Sequence, residues 1–100
     1  MTVYFDDSLK KRTIAFCDDE LNYHINDSGC ANEYHDEIIT QIELLYKLDE
    51  KELAERYMKD YKNELNELKD YAHTKQEKNE IKDLKASLKI FWNQLKMQIS

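Results

Sequence analysis

The C-terminal half of the chain decides the fold, and residues 53–99 read LAERYMKDYKNELNELKDYAHTKQEKNEIKDLKASLKIFWNQLKMQI. Apolar residues recur there every three or four positions, which places them on one face of a helix. The first stripe is Leu53, Tyr57, Tyr61, Leu65, Leu68 and Ala72, and the second is Ile81, Leu84, Leu88, Phe91, Leu95 and Ile99. A polar gap separates the stripes, and within it Thr74 and Glu77 have the spacing of a capping box. We predict two helices, at residues 50–72 and 75–98, with one unbroken helix as the alternative.

A further helix is predicted upstream, at residues 32–47. Its apolar residues again follow helical spacing: Ile38, Ile39, Ile42, Leu45 and Tyr46. After it, Asp49 and Glu52 match a second capping box, and Leu48 and Leu53 occupy the two positions of a hydrophobic staple. The predicted boundary between these two helices therefore lies at residues 48–50.

The N-terminal residues show a different pattern, in which β-branched and aromatic residues recur at every second position. Val3 and Phe5 alternate with Thr2 and Tyr4, and Ile14 and Phe16 alternate with smaller residues, which predicts two half-buried strands within residues 2–17. Leu21, Tyr23 and Ile25 favour a third strand before a turn at residues 26–29, and a short helix capped by Asp18 or Asp19 is the competing interpretation. The predicted fold is a single α+β domain, residues 1–100: a β-hairpin or meander in residues 1–30 packed on a helical hairpin in residues 31–100.

Composition narrows the function classes. The chain has 100 residues, of which 36% are charged, with one glycine and no proline. Such a composition disfavours an all-β fold and excludes glycine-rich phosphate loops. No apolar run is long enough for a membrane span, and no secretory signal precedes the two cysteines, so a cytoplasmic location is expected.

The net charge of −6 is unevenly distributed along the chain. Residues 13–46 contain no lysine or arginine and carry eight acidic residues. We expect seven of them to contact a basic partner: Asp18, Asp19, Glu20, Asp27, Glu33, Asp36 and Glu37. Glu43 lies farther along the helix and is expected to matter less. The alternative is that this segment neutralises the last helix within the same chain.

The last helix carries a row of lysines beside its apolar stripe. Lys82, Lys85, Lys89 and Lys96 each follow a stripe residue by one position, so the row is rotated by about 100° from the stripe. Trp92 falls within the row and is a candidate contact anchor for a partner. The alternatives are a solvated border for the lysines and a core position for Trp92.

Few residues have the pattern of a chemical site. Cys17, His24, Cys30 and His35 carry zinc-compatible donor atoms, but their spacing lacks the Cys-x2–4-Cys knuckle of structural zinc sites. No serine lies in a nucleophile motif, and no catalytic constellation is visible. We therefore predict no enzymatic activity and no cofactor.

The expected function is that of a small acidic protein-binding module. Spaced carboxylates present charge as phosphates do, so the acidic segment is suited to block the nucleic-acid-binding surface of an enzyme. Small acidic inhibitors encoded by phages and mobile elements act in this way, an analogy of size and charge alone. The alternative is a homo-oligomeric helical scaffold or a regulatory module. A homodimer formed through the second and third helices is expected, because three long apolar stripes leave excess apolar surface. Direct nucleic-acid binding is disfavoured by the acidic balance.

Overall fold

The computed structural model describes residues 7–99, and this part of the chain is a helical bundle without strands. Its four α-helices are α1 (Asp7–Asn22), α2 (His35–Lys47), α3 (Lys51–Tyr71) and α4 (Lys75–Ile99). A π-helical turn (Tyr23–Asp27) continues α1, and a 3-10 turn (Ala31–Tyr34) leads into α2. None of the described helices combines the length and the apolar character that crossing a bilayer requires.

Helices α2 and α3 form the centre of the bundle. They pack closely on each other, α1 packs on α2, and the π-helical turn packs on α3. Helix α4 packs mainly on α3 and also touches α2, whereas it has little contact with α1. The bundle is elongated, 54 × 29 × 23 Å, because the α3–α4 hairpin is built from much longer helices than the α1–α2 pair.

The predicted α+β fold is wrong, because the residues assigned to the second strand are helical. Val3 and Phe5 lie outside the described residues, whereas Ile14 and Phe16 belong to α1. Core contacts come from residues spaced by four, Cys17, Leu21 and Ile25, and the alternation around Ile14 is too short to outweigh this helical face. Phe16, predicted to pack inward, is 58% exposed.

The predicted third strand is also helical. Leu21 and Ile25 lie four residues apart on one face of a helix, and both are buried. In a strand Tyr23 would share their face, yet it is 51% exposed. The π-helical turn extends to Asp27, so the chain reverses only at residues 28–29 rather than over 26–29. Gly29 has a φ of +72°, which a residue without a Cβ adopts readily.

The helices predicted from the apolar stripes are confirmed, and so is the break between the last two. The chain leaves the helix at Ala72, whose ψ is 135°. Thr74 Oγ1 accepts a hydrogen bond from the Glu77 N–H at 3.1 Å, which caps α4 as predicted. The Glu77 carboxylate reaches back one residue farther than expected and accepts from the His73 N–H at 3.2 Å.

The second predicted capping box is wrong, because Asp49 ends α2 instead of starting α3. Its φ of +70° lies in the left-handed region. The Asp49 N–H donates to the Tyr46 carbonyl at 3.2 Å, and the Glu50 N–H donates to the Leu45 carbonyl at 2.9 Å. These two bonds form a Schellman motif with aspartate where glycine is usual, since aspartate tolerates this conformation better than most residues.

One apolar core joins all four helices. Its largest fully buried side chains include two tyrosines of α3, Tyr57 and Tyr61. Each tyrosine turns its hydroxyl toward a polar partner on another element, as buried tyrosines usually do. The remaining buried members are apolar side chains or cysteine: Cys17, Leu21, Ile25, Ala31, Ile38, Ile42, Leu45, Tyr46, Ala54, Met58, Leu65, Ile81, Leu88 and Leu95.

Candidate protein-binding surfaces

Asp18 is the one predicted partner-binding acid that the fold itself engages strongly. The Tyr57 hydroxyl donates to the Asp18 carbonyl oxygen at 3.0 Å and also to the Asp18 carboxylate. The Arg56 guanidinium lies 3.7 Å from the same carboxylate. Burial, together with the hydrogen bond to Asp18, raises the pKa of Tyr57 to about 12. Asp18 therefore ties α1 to α3, which leaves less of its charge available to a partner.

The outer face of α1, extended by the first residue of the π-helical turn and called the α1 face below, carries an aromatic pair among acids. Phe16 and Tyr23 are seven residues apart, both more than half exposed, with exposed Asp19 and partly buried Glu20 between them. Spacings of three, four and seven place all four on one helical face. Sequence reasoning missed this face because Phe16 and Tyr23 were assigned to strands, although reading the same residues at helical period would have found it.

The acidic surface also includes exposed carboxylates of the two short turns that connect α1 to α2 and of the first turn of α2. Glu33 is exposed in the 3-10 turn, and Asp36 and Glu37 are exposed in the first turn of α2. Carboxylates at a helix N-terminus are stabilised by the helix dipole. Asp27, at the end of the π-helical turn, is also exposed. All seven predicted acids thus lie on or near the surface, although the carboxylate of Asp18 is also engaged by Tyr57 and Arg56.

The alternative, that this segment neutralises the last helix within the same chain, has no support in the ion pairs of residues 7–99. Among residues 7–99, ion pairs with lysine or arginine involve two of its acids, Asp18 with Arg56 and Glu43 with Lys47. Neither cation belongs to α4. Glu20 is paired instead with His24, at 3.3 Å from its Nε2 atom.

A solvent-open groove of about 420 Å³ lies between α3 and α4. Its lining combines a few apolar side chains with lysines from both helices. From the predicted lysine row, Lys85, Lys89 and Trp92 line it. Lys82 and Lys96 do not line it, although the Lys96 ammonium lies 6.0 Å from the centre of the Trp92 ring. Helix α3 supplies lining residues that sequence reasoning missed, Met58, Lys59 and Lys62, because they reach the groove only through the pairing of the two helices.

Trp92 is partly buried and serves both the core and the groove. Its ring meets Tyr46 edge to face, with ring centres 5.4 Å apart. The core interpretation of this residue therefore holds in part, because Tyr46 fixes one side of the indole while another side lines the groove. Its role as a contact anchor for a partner stays a prediction.

The four candidate zinc ligands are not brought together. Across the described residues 7–99, no group of three or more His, Cys, Asp or Glu side chains is placed to hold a metal ion. Cys17 is buried in α1, and His24 is stacked on Tyr34 with ring centres 4.2 Å apart. The Cys30 thiol donates to the Ser28 carbonyl at 3.6 Å. His35 faces Tyr61, whose hydroxyl oxygen is 2.6 Å from its Nδ1 atom.

The His35–Tyr61 contact predicts a loss of stability in mild acid. Burial lowers the pKa of His35 below its ordinary value of 6.5, with Asp36 opposing the shift. The unfolded chain then binds the proton more tightly than the folded one, so the free energy of unfolding should fall as the pH drops below 6.5 toward the folded-state pKa. Denaturant unfolding at a series of pH values measures this slope. His35→Gln should flatten the slope, and the exposed control His73→Gln should not; an unchanged slope in His35→Gln would contradict the assignment.

No family model, curated protein or solved structure matches this chain, so its function is inferred from its own surfaces.

Proposed function

We propose that this protein is a non-enzymatic binding module that uses the outer face of α1 to dock on a basic surface of a partner protein. The observation that carries the proposal is the exposed pair Phe16 and Tyr23 with Asp19 and Glu20 on the same face. Single exposed apolar residues are common, whereas exposed apolar surface rimmed by polar residues marks interaction sites, and this arrangement of aromatic side chains among carboxylates fits the second case.

The two kinds of residue contribute differently to binding. Aromatic side chains are enriched among the residues that dominate interface energies, because they bury a large area at a low entropic cost. Carboxylates around them accelerate association with a basic surface and reject acidic ones. Phe16 and Tyr23 are therefore assigned to affinity, and Asp19 and Glu20 to encounter rate and partner choice.

The partner class follows from the extent of the acidic surface. Carboxylates run from α1 through Asp27 and Glu33 to Asp36 and Glu37. Spaced negative charges of this kind match surfaces that evolved to hold phosphates, where lysine and arginine are concentrated. A nucleic-acid-binding protein whose basic surface is blocked by this module is the partner that the charge pattern favours.

The test compares two variants that remove one kind of residue each. Asp19→Lys/Glu20→Lys should slow association with a captured basic partner by roughly tenfold or more at low salt. Phe16→Ala should mainly speed dissociation, by roughly tenfold for a hot-spot aromatic. Capture on immobilised protein identifies the partner, and binding kinetics at several salt concentrations measure both rates.

Two controls make this experiment decisive. Glu67→Lys/Glu80→Lys produces the same change in net charge with exposed residues outside the acidic surface, and it should leave both rates close to wild type. Circular dichroism should show intact folding for every variant, because the replaced side chains are exposed or partly exposed. Asp18 is left unchanged, since it holds Tyr57 and Arg56. A partner that binds the α1 variants as tightly as wild type would overturn the proposal.

The homo-oligomeric scaffold stays as the second candidate. Exposed Ile90 on α4, at 57%, favours it, because an apolar side chain there is available to a second copy. The homodimer through α3 and α4 remains a prediction.

A further inference from the structure

We propose that the groove between α3 and α4 is a second docking site, which binds an acidic amphipathic helix of a partner protein. This site is separate from the α1 face and does not depend on the function proposed for it. Helices α1 and α4 each pack on the central α2–α3 pair and have little contact with each other. A protein with both surfaces occupied would bridge a basic partner and an acidic one.

The floor of the groove is apolar and preformed. Met58 and Leu88 are buried core residues that also line the groove. Trp92 lies beside them, and its contact with Tyr46 holds the indole in place before any ligand arrives. A fixed floor lowers the ordering cost of binding, and a methionine within it adapts to the shape of an apolar side chain.

The walls of the groove are positively charged on both sides. Lys59 and Lys62 come from α3, and Lys85 and Lys89 come from α4. Glu55 is the one acid in the lining of this groove, and it lies 3.6 Å from the Lys59 ammonium. The Lys85 ammonium donates to the side-chain oxygen of Asn66 on α3, so this cation is held between the two helices. The electrostatic match for this arrangement is therefore a ligand with carboxylates on both sides of an apolar ridge.

The dimensions of the groove favour a helix as that ligand. Lining residues run from 55 to 62 on α3 and from 85 to 93 on α4, about two helical turns or roughly 10 Å along each wall. An amphipathic helix seats apolar side chains at i, i+3 or i+4, and i+7 over such a length. A fatty acid has one carboxylate, so it would leave most of the four groove lysines without an anionic partner. Single-stranded nucleic acid stacks on successive aromatic rings, whereas this groove offers one, on a chain of net charge −6.

Trp92 supplies the readout, because it is the chain's only tryptophan. The probe is a designed helical peptide with leucine at i, i+4 and i+7 and glutamate on both sides of that ridge. Titration into the protein should shift Trp92 emission to shorter wavelength and saturate, as the peptide excludes water from the indole. Lys62→Glu/Lys89→Glu, which reverses one exposed lysine on each wall, should weaken the affinity by roughly tenfold or more.

Matched variants separate this site from the rest of the molecule. Lys75→Glu/Lys78→Glu changes the net charge equally with exposed lysines of α4 outside the groove, and it should bind like wild type. Asp19→Lys/Glu20→Lys should also bind like wild type, so failure of the α1 proposal and failure of this one are distinguishable. Circular dichroism confirms that each variant is folded.

Each contrary outcome identifies a different error. Equal binding of a peptide with lysine in place of glutamate would overturn the electrostatic argument. Tighter binding of decanoate or of oligodeoxythymidine would replace the helix with that ligand and overturn the proposal. An emission shift that grows with protein concentration alone, with a dimer mass by light scattering, would assign the groove to a second copy of the chain.

Discussion

Replacing Tyr61 with alanine should lower the free energy of unfolding by about 3–5 kcal/mol, as for other large aromatic side chains removed from a core. Tyr61 has no exposed surface, and it lies where α3 meets the start of α2. Removal of its ring would leave a cavity that is too large for small shifts of the surrounding helices to fill. A domain of this size has a total stability of about 5–15 kcal/mol, so the variant should lose a large share of it and unfold at a clearly lower denaturant concentration. Denaturant unfolding followed by circular dichroism measures the loss.

Tyr61→Phe is the control that separates packing from hydrogen bonding. It keeps the ring and removes only the hydroxyl that lies 2.6 Å from His35 Nδ1. Leaving that partly buried nitrogen without a partner should cost about 1–2 kcal/mol. Burial also raises the pKa of Tyr61, so the hydroxyl stays neutral throughout the measurement. A loss in Tyr61→Ala no larger than in Tyr61→Phe would contradict the core assignment.

The second large effect is expected for Leu88→Ala, at about 2–5 kcal/mol. Leu88 is 2% exposed and is the middle of the three buried residues that hold α4 on the bundle, the others being Ile81 and Leu95. Because α4 has no strong ion pair with the other helices among the described residues, these apolar contacts carry most of its attachment. Loss of the central contact should loosen the whole helix.

Ile90→Ala is the matched control for this prediction. Ile90 lies two residues farther along the same helix and is 57% exposed, so its truncation should change stability by less than about 0.5 kcal/mol. Trp92 emission should move to longer wavelength in Leu88→Ala at denaturant concentrations that leave the Ile90 variant unchanged. Equal stabilities of the two variants would show that α4 is held by other contacts.

The length of a periodic pattern explains which elements were predictable. The stripes of α3 and α4 extend over five turns or more, and at that length only a helix places every apolar residue on one side. The boundary between α3 and α4 was also predictable, because Thr74 caps α4 through a hydrogen bond from the backbone N–H of Glu77, three residues later. The alternation at Ile14 and Phe16 is shorter than one helical turn, and a run this short is compatible with both the strand period and the helix period.

The predicted N-cap at Asp49 was wrong because aspartate is compatible with either end of a helix. Aspartate favours helix N-caps and is also among the few residues that tolerate a left-handed φ. At Asp49 the second property decides, because the close packing of α2 on α3 requires a sharp reversal and no glycine is present there. The choice depends on the angle between the two helices, which their sequences do not specify locally.

The sequence alone determined the three C-terminal helices, the break at residues 72–74 and the separation of charge, because each depends on neighbours within a few positions. Tertiary structure decided which acids stay available, since Asp18 is engaged by Tyr57 and Arg56 from a helix far along the chain. It also formed the groove. Lys59 and Lys62 line it together with Lys85 and Lys89 only because α3 and α4 pack side by side. Surfaces built from two helices depend on packing geometry, and packing geometry arises from the whole core rather than from any one segment.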